Sequence, residues 1–435
     1  MSVPVILIFD VGKTNKKLLL LDEQYKIVYE ESIQFKEIKD EDNFPCEDVN
    51  ALTSWVKGSF EKIHNDKRFD IKAINFSAYG ASFVNIDESG KIITPLYNYL
   101  KPYPEKIKQQ FYATYGDENV IARETASPAL GSLNSGLQLY RLKYEQPEIF
   151  QQVKYSLHLP QYLSYLFSDK KATDITSIGC HTMLWNFEKN NYHEWVYKEG
   201  IDKKFAPVYK ANEIISTDKN ISAGVGLHDS SAALIPYLKF CNEPFVLIST
   251  GTWCISLNPF NHSPLTDEEL KNDCLCYLTY NGKPVKASRL FAGYEHEQEV
   301  KKIASHFNKA VEYYKTVKHD VSLSNKIKNK PYDLKNFDTY EEAYHALMFS
   351  IIQRQIASTN LVLQNSSVKK IFVDGGFSTN EIYMQMLANS YSDIKIYAAV
   401  IPHATALGAA IILHKHWNNK NLPGDLFKLK LFTQD

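Results

Sequence analysis

A chain of 435 residues exceeds the about 100 to 200 residues of an ordinary domain, so two domains with separate cores are expected. Forty-nine basic against fifty acidic residues leave a formal charge of -1, which supplies no field for nucleic acid or a membrane surface and points to a small-molecule partner. The opening MSVPVILIFD has no basic leader and meets an acidic residue after a short apolar run, so no signal peptide or membrane span is expected, and the cytoplasm is the expected compartment.

Residues 5–9 and 17–21 are apolar runs around a polar turn at 12–16, and 26–30 is a third strand-like run, which together predict an antiparallel meander. Residues 49–64 carry apolar groups at helical spacing, and 71–77 read as a buried strand. The stretch 104–205 is helix-rich, with QLYRLKYEQPEIFQQV and HLPQYLSYLF both periodic, and reads as material inserted around a sheet. PFVLISTGTWCISLNPF at 244–260 repeats the opening pattern of strand, glycine turn and strand, about 240 residues later. Eight lysines between 301 and 330 predict a solvated helix and surface loop. A long amphipathic helix follows at 341–364, then a strand, a glycine turn and a helix from KKIFVDGGFSTN onward, then the small-residue helix of PHATALGAAIIL. The domains fall at 1–240 and 241–435. Six cysteines without a C-x-x-C pair read as free thiols, and Cys274-Leu-Cys276 lacks the second ligand pair of a metal finger.

VILIFDVGKTNKKLLLLD, residues 5–22, ends its turn with Gly-Lys-Thr but is not a P-loop. The first glycine of that motif would fall at Leu7, inside a strand, where no phosphate enters. The hairpin reading gives Gly12 for close backbone approach, Thr14 and Asn15 as phosphate donors and Asp10 as a Mg²⁺ ligand; a plain decorated hairpin has the same sequence. Ser249-Thr250-Gly251-Thr252 offers a second such turn, and residues 374–380, DGGFSTN, a third that opens a helix, where a nucleotide or an ordinary strand-to-helix turn fits equally.

An Asp-x-Gly hairpin, a central His-Asp, a Ser/Thr-Gly-Thr hairpin and a Gly-Gly turn followed by Ala-Leu-Gly-Ala-Ala, in that order, resemble the FGGY carbohydrate kinases of the actin-like ATPase superfamily. Gly251-Thr252-Trp253, HDSSAAL at 228–234 and YGASF at 79–83 look most like the rhamnulokinase and fuculokinase branch. The resemblance implies an α/β fold of two actin-like (ribonuclease H-like) domains with a cleft between them, and an ATP- and Mg²⁺-dependent kinase acting on a ketose or deoxyketose. It implies Asp229 as the base that takes the sugar hydroxyl's proton, although Asp229 also suits a cap for the helix SSAALIPYL. Asp10 would organise Mg²⁺, and Lys17, which also reads as a strand-edge lysine, would join Thr14 and Asn15 on the transferred phosphate. Thr250, Gly251 and Thr252 would meet the β and γ phosphates, and Gly375, Gly376 and Asn380 would flank adenosine. The sugar would lie near Tyr79, Gly80, Ala81, His228 and Ser230. The sequence leaves open whether the protein is a monomer or a homodimer, and also a non-catalytic sugar or nucleotide sensor with the same fold, a pentulose as the substrate, and a sugar-independent ATPase.

Four positions depart from the resemblance. NYLKPYPEK stands where relatives carry an aspartate and an arginine, Gln161 stands where an aspartate is usual, and Lys13 is expected to add charge beside the phosphates. Around Arg289 to Gly293 the match to an adenine-contacting region is loose.

Overall fold

The structure, a computed structural model, describes residues 2–435 except 219–220, 328–329 and 427, so part of the lysine-rich stretch lies outside the described residues. The opening runs form β1 (Val3–Val11), β2 (Lys16–Asp22) and β3 (Ile27–Ile33), an antiparallel meander. Val5 to Phe9 are fully buried, which is why β1 reads as an unbroken apolar run instead of an alternation. Helix α1 (Val49–His64) starts where the Asp48 carboxylate accepts from the N–H groups of Asn50 and Ala51. It returns the chain as β4 (Phe69–Ala78), parallel to β1. With β5 (Ile214–Asp218), β6 (Ile221–Gly224) and β7 (Leu227–His228) the first sheet has seven strands, in the order β5-β6-β4-β1-β2-β3 with β7 also paired to β4.

Between β4 and β5 stands a helical layer with its own core around Phe111, Tyr140 and Trp195. The periodic stretch at 138–153 is two helices, Ser135–Glu145 and Pro147–Gln152, because Pro147 has no N–H with which to continue the ladder.

Helix α2 (Asp229–Phe240) carries the chain to the second sheet. Its strands are β8 (Phe245–Thr250), β9 (Cys254–Asn258), β10 (Cys274–Leu278) and β11 (Pro284–Leu290), and, after helices α3 (Ala292–His306) and α4 (Tyr340–Leu363), β12 (Lys370–Gly375). Helix α5 (Glu381–Asn389), β13 (Lys395–Val400), helix α6 (Ala404–Ile411) and β14 (Lys428–Phe432) complete the lobe. The order is β10-β11-β9-β8-β12-β13-β14. Both sheets share one kernel, a strand with an antiparallel neighbour on one side and a parallel neighbour on the other: β2-β1-β4 and β9-β8-β12. The hairpin repeat read from the sequence is present as this duplicated kernel.

Helices α2 and α6 fill the space between the sheets. One core joins Ile6 and Ile8 of the first sheet, Leu247 and Phe372 of the second, and Ala406 and Ala410 of α6. Pro236 lies inside α2 and gives no N–H to the Ala232 carbonyl. Against that carbonyl α6 makes its closest approach, for a β-carbon on Gly408 would stand 1.9 Å from Ala232 O. The small residues of ATALGAA are thus set by a backbone-to-backbone crossing.

Candidate active site

The C-terminal ends of β1 and β4, the start of α2 and the start of α6 meet on the first lobe. Asp10 and Lys17 are opposed in the β1–β2 pair, so their side chains share a face. Asp10 Oδ2 accepts from Thr405 Oγ1 at 2.6 Å, and its carboxyl is pushed up to about 6 by burial, then eased by the Thr405 hydrogen bond and raised again by the charge of Asp229. Asp229, in the first turn of α2, is likewise pushed up to about 6 by burial, with Ser230 N–H donating to its Oδ1 at 2.6 Å. The structure therefore brings the candidate base and the candidate metal ligand within electrostatic reach. Lys17 joins them, its Nζ 3.2 Å from His403 Nδ1 and 3.5 Å from Glu30.

The hairpin tip is closed by local hydrogen bonds. The N–H of Gly12 closes the turn on Asn15 O at 2.9 Å, and the Asn15 side-chain oxygen accepts from Gln34. Thr14 is exposed. Lys13 is drawn outward onto Glu37 at 2.8 Å, which corrects the expectation that it charges the phosphate site. Lys16, two residues from the exposed tip, is buried with Nζ 2.6 Å from the equally buried Glu47.

Two of the proposed sugar contacts are otherwise engaged. Tyr79 is buried in the first-lobe core and its hydroxyl donates to Glu47. The His228 ring is buried and stacked on Tyr277 of β10, with Nε2 3.0 Å from Cys180 Sγ and 3.1 Å from Asp229 Oδ1. Burial pushes that imidazole down to about 3. His228 thus stands behind Asp229, while its Nδ1 has no protein partner. Gly80 fits closely beneath, since a β-carbon there would lie 2.8 Å from Cys180 Sγ and 3.0 Å from the His228 ring. Ala81 takes the left-handed backbone at φ 59° and its carbonyl accepts from Gln138. The Ser230 hydroxyl leans back on Asp229 at 3.3 Å.

On the second lobe a cavity of about 450 Å³ is lined by Thr250, Gly251, Gly376 and Asn380 among the expected residues. Thr252 and Gly375 support it without lining it. The Thr250 hydroxyl donates to Asp374 O and accepts from Phe377 N, tying the β8 turn to the β12 turn. Gly375 has φ 82°, and a β-carbon there would lie 1.9 Å from Thr250 O. The Thr252 carbonyl accepts from Tyr294 N. Asn380 lines the cavity while its side chain caps α5 through Tyr383 N and donates to the Tyr344 hydroxyl. Thr250 and Asn380 therefore shape the cavity with side chains already satisfied.

Sequence reasoning missed Gly293, His296, Tyr314, Lys315 and Lys318, which line the same cavity. The stretch read as solvated lysines supplies three of these, and the one signal available was an aromatic pair, Tyr313-Tyr314, inside a polar segment. It also missed Thr405 and His403, since PHATALG offered only a small-residue helix. In the departing segment Lys101 is buried against Asp40 and Asp42, pointing into the first lobe, and Gln161 donates to Gly226 O. Arg289 pairs with Asp273 and lies over the Trp253 ring, so of the loosely matched stretch Gly293 reaches the cavity. No helix among the described residues is long and apolar enough to cross a membrane.

Two lobes with a duplicated kernel, facing carboxylates on one and a glycine-lined cavity on the other, constitute the two-domain mixed α/β fold of carbohydrate kinases. Solved structures share it: a ligand-bound xylulose kinase from Lactobacillus acidophilus superposes with a TM-score of 0.82 at 16% identity over 100% of this chain and 94% of that one. A glycerol kinase from Plasmodium falciparum, solved with ADP, gives 0.80 at 17% over the same shares. The profile of the N-terminal domain of the FGGY family of carbohydrate kinases matches residues 5–232, and that of a FGGY C-terminal domain matches 242–421. The chain belongs to the FGGY family of carbohydrate kinases. Among curated relatives it is 24% identical to a rhamnulokinase from Halalkalibacterium halodurans over 57% of this chain and 54% of that protein. It is 24% identical to the L-fuculokinase of Escherichia coli over 58% and 56%. The matched region spans about half the length of these relatives.

Proposed function

We propose that this chain is an ATP-dependent sugar kinase that transfers the γ-phosphoryl group to a hydroxyl of a ketose or deoxyketose of the L-rhamnulose or L-fuculose kind. The observation that carries the reading is the cluster on the first lobe, Asp10 opposed to Lys17 across the hairpin and within electrostatic reach of Asp229, together with the glycine-lined cavity on the second. Asp229, pushed up to about 6, is mostly ionised at neutral pH and still able to take a proton. Asp229 would accept the hydroxyl proton as that oxygen bonds to the γ-phosphorus and the bridging oxygen departs with ADP. Lys17 would hold the transferred group, while Gly251 and Gly376 offer bare backbone to the nucleotide.

Mg²⁺ fits the same residues. Asp10 supplies a hard oxygen donor, with the Asp229 charge close by. Among the described residues no group of three or more His, Cys, Asp or Glu is placed to hold a metal ion. When bound, the ion would neutralise phosphate charge.

Likeness to rhamnulokinase and L-fuculokinase supports the deoxyketose; likeness to a xylulose kinase supports a pentulose as the second reading. The buried Lys101 alters the segment where relatives contact sugar, so the substrate is the part most exposed to test. ADP release from Mg-ATP over a ketose panel decides. Release that requires one ketose supports the proposal; sugar-independent release replaces it with an ATPase, and sugars that raise Tm without turnover replace it with a sensor.

A further inference from the structure

The loop that leaves β13 of the second lobe enters α6 against the first lobe, and two of its side chains reach the two ionic groups that β1 and β2 present. Thr405 Oγ1 donates to Asp10. His403, held in the left-handed backbone region at φ 53°, places Nδ1 3.2 Å from Lys17 Nζ and Nε2 3.4 Å from Glu30 Oε2. An ammonium has protons to give and no lone pair. Nδ1 must therefore be the bare, accepting nitrogen, and the ring proton sits on Nε2, the nitrogen 3.4 Å from Glu30 Oε2.

We propose that His403 is a positioning residue that fixes the Lys17 ammonium beside Asp10 for phosphoryl transfer. The inference rests on the kinase reading above. A lysine on its flexible stem visits many rotamers, whereas holding a transferring phosphoryl group needs one. A neutral imidazole can hold it without cancelling its charge. Glu30 stands 3.5 Å from Lys17 and 3.4 Å from His403 Nε2, so one carboxylate lies beside both groups. His403 takes one of three ammonium protons and leaves the others for phosphate oxygens. The loop that carries it follows β13, the neighbour of β12, whose turn lines the nucleotide cavity, so the second lobe sets the geometry of a first-lobe cation.

Two measurements on the intact chain test this. The first needs no substrate: long-range proton–nitrogen spectra of ¹⁵N-histidine-labelled protein report the tautomer, with His403 assigned by its loss in His403→Gln. The expected ring is neutral and protonated on Nε2, and Lys17→Met should convert it to a mixture of tautomers. A ring protonated on Nδ1, or one that Lys17→Met leaves unchanged, overturns the proposal. The second is turnover of Mg-ATP with L-rhamnulose, L-fuculose and a ketose panel. His403→Gln, whose amide can accept from Lys17 and donate to Glu30, should keep kcat within about threefold. His403→Leu should lower kcat about 10- to 100-fold with the sugar KM unchanged, the scale of a misplaced reacting group. Equal kcat in His403→Leu overturns the positioning role and leaves the kinase reading intact. If the wild type turns over no ketose, the kinase reading fails and takes the catalytic role with it, while the spectrum still decides the Lys17–His403 contact.

Discussion

Thr405 Oγ1 donates to Asp10 Oδ2 at 2.6 Å and so joins residues 395 positions apart in the chain. This bond lowers a carboxyl that burial raises. Thr405→Val should therefore push Asp10 further up, shift the acid limb of kcat/KM to higher pH and reduce the rate at neutral pH by about tenfold, the worth of one hydrogen bond to a charged group. Thr405→Ser should retain wild-type behaviour. A pH–rate series of the three proteins makes the comparison.

Asp10 and Asp229 both stand at about 6 against an ordinary 3.8. Between those values the folded chain holds more protons than the unfolded one, so the stability they lend is complete below 3.8 and is lost as pH rises through 6. Without divalent metal, Asp229→Asn should be more stable than wild type by about 1 to 3 kcal/mol at about pH 8, with no difference near the unfolded pKa. The same variant should lose about 10² to 10⁴ in kcat, the usual share of a positioned base. Denaturant melts across pH and a coupled assay measure the two effects. The wild-type acid limb should fall below about pH 6 with pKa values that belong to the pair.

Gly80 is fitted beneath Cys180 and the His228 ring, and His228 Nε2 lies against Asp229. Gly80→Ala should displace the ring and, with it, the base. The expected result is a fall in kcat of about 10-fold or more with the melt shifted by about 1 to 3 kcal/mol, the cost of overpacking. Unchanged kcat would show that Asp229 keeps its place without the ring behind it.

The Thr250 hydroxyl bridges two turns, and Gly375 has no room for a side chain. Thr250→Val leaves the Phe377 N–H without its acceptor and should weaken ATP binding by about 5- to 30-fold, equivalent to about 1 to 2 kcal/mol. Gly375→Ala should abolish nucleotide binding, because the strained φ and the clash with Thr250 O add. Calorimetric titration with ATP reads both.

Lys16 and Glu47 form a buried ion pair at 2.6 Å that anchors the first hairpin to the loop before α1. Lys16→Met strands the Glu47 charge and should cost about 3 to 5 kcal/mol in urea unfolding. Glu47→Gln should also destabilise, since its amide has one acceptor oxygen where Lys16 and Tyr79 use two, and it leaves the Lys16 charge unpaired.

The strands and helices were readable wherever local pattern and burial agree. The hairpin at 5–22, helix α1 and the glycine turn before α5 lie where apolar runs, helical spacing and the Gly375-Gly376 pair place them. Asp10 could be named from the glycine hairpin, and Lys17 and Asp229 from the resemblance to the FGGY kinases. Thr250, Asn380, Tyr79 and His228 could be named too, but not what their polar atoms do. Each makes a hydrogen bond to a residue far away in the chain, which no local pattern announces.

The sequence by itself determined the duplicated kernel, the positions of its glycine bends and the acidic residues at its strand ends, because these follow from short-range sterics and from which runs can bury an apolar face. Only the tertiary structure decided that α6 returns to the first lobe to bring Thr405 to Asp10 and His403 to Lys17, and that Tyr314, Lys315 and Lys318 roof the cavity. Such contacts depend on how separately formed layers settle against each other, and the hydrogen bonds and close approaches that fix this settling join residues with no periodic relation in the chain.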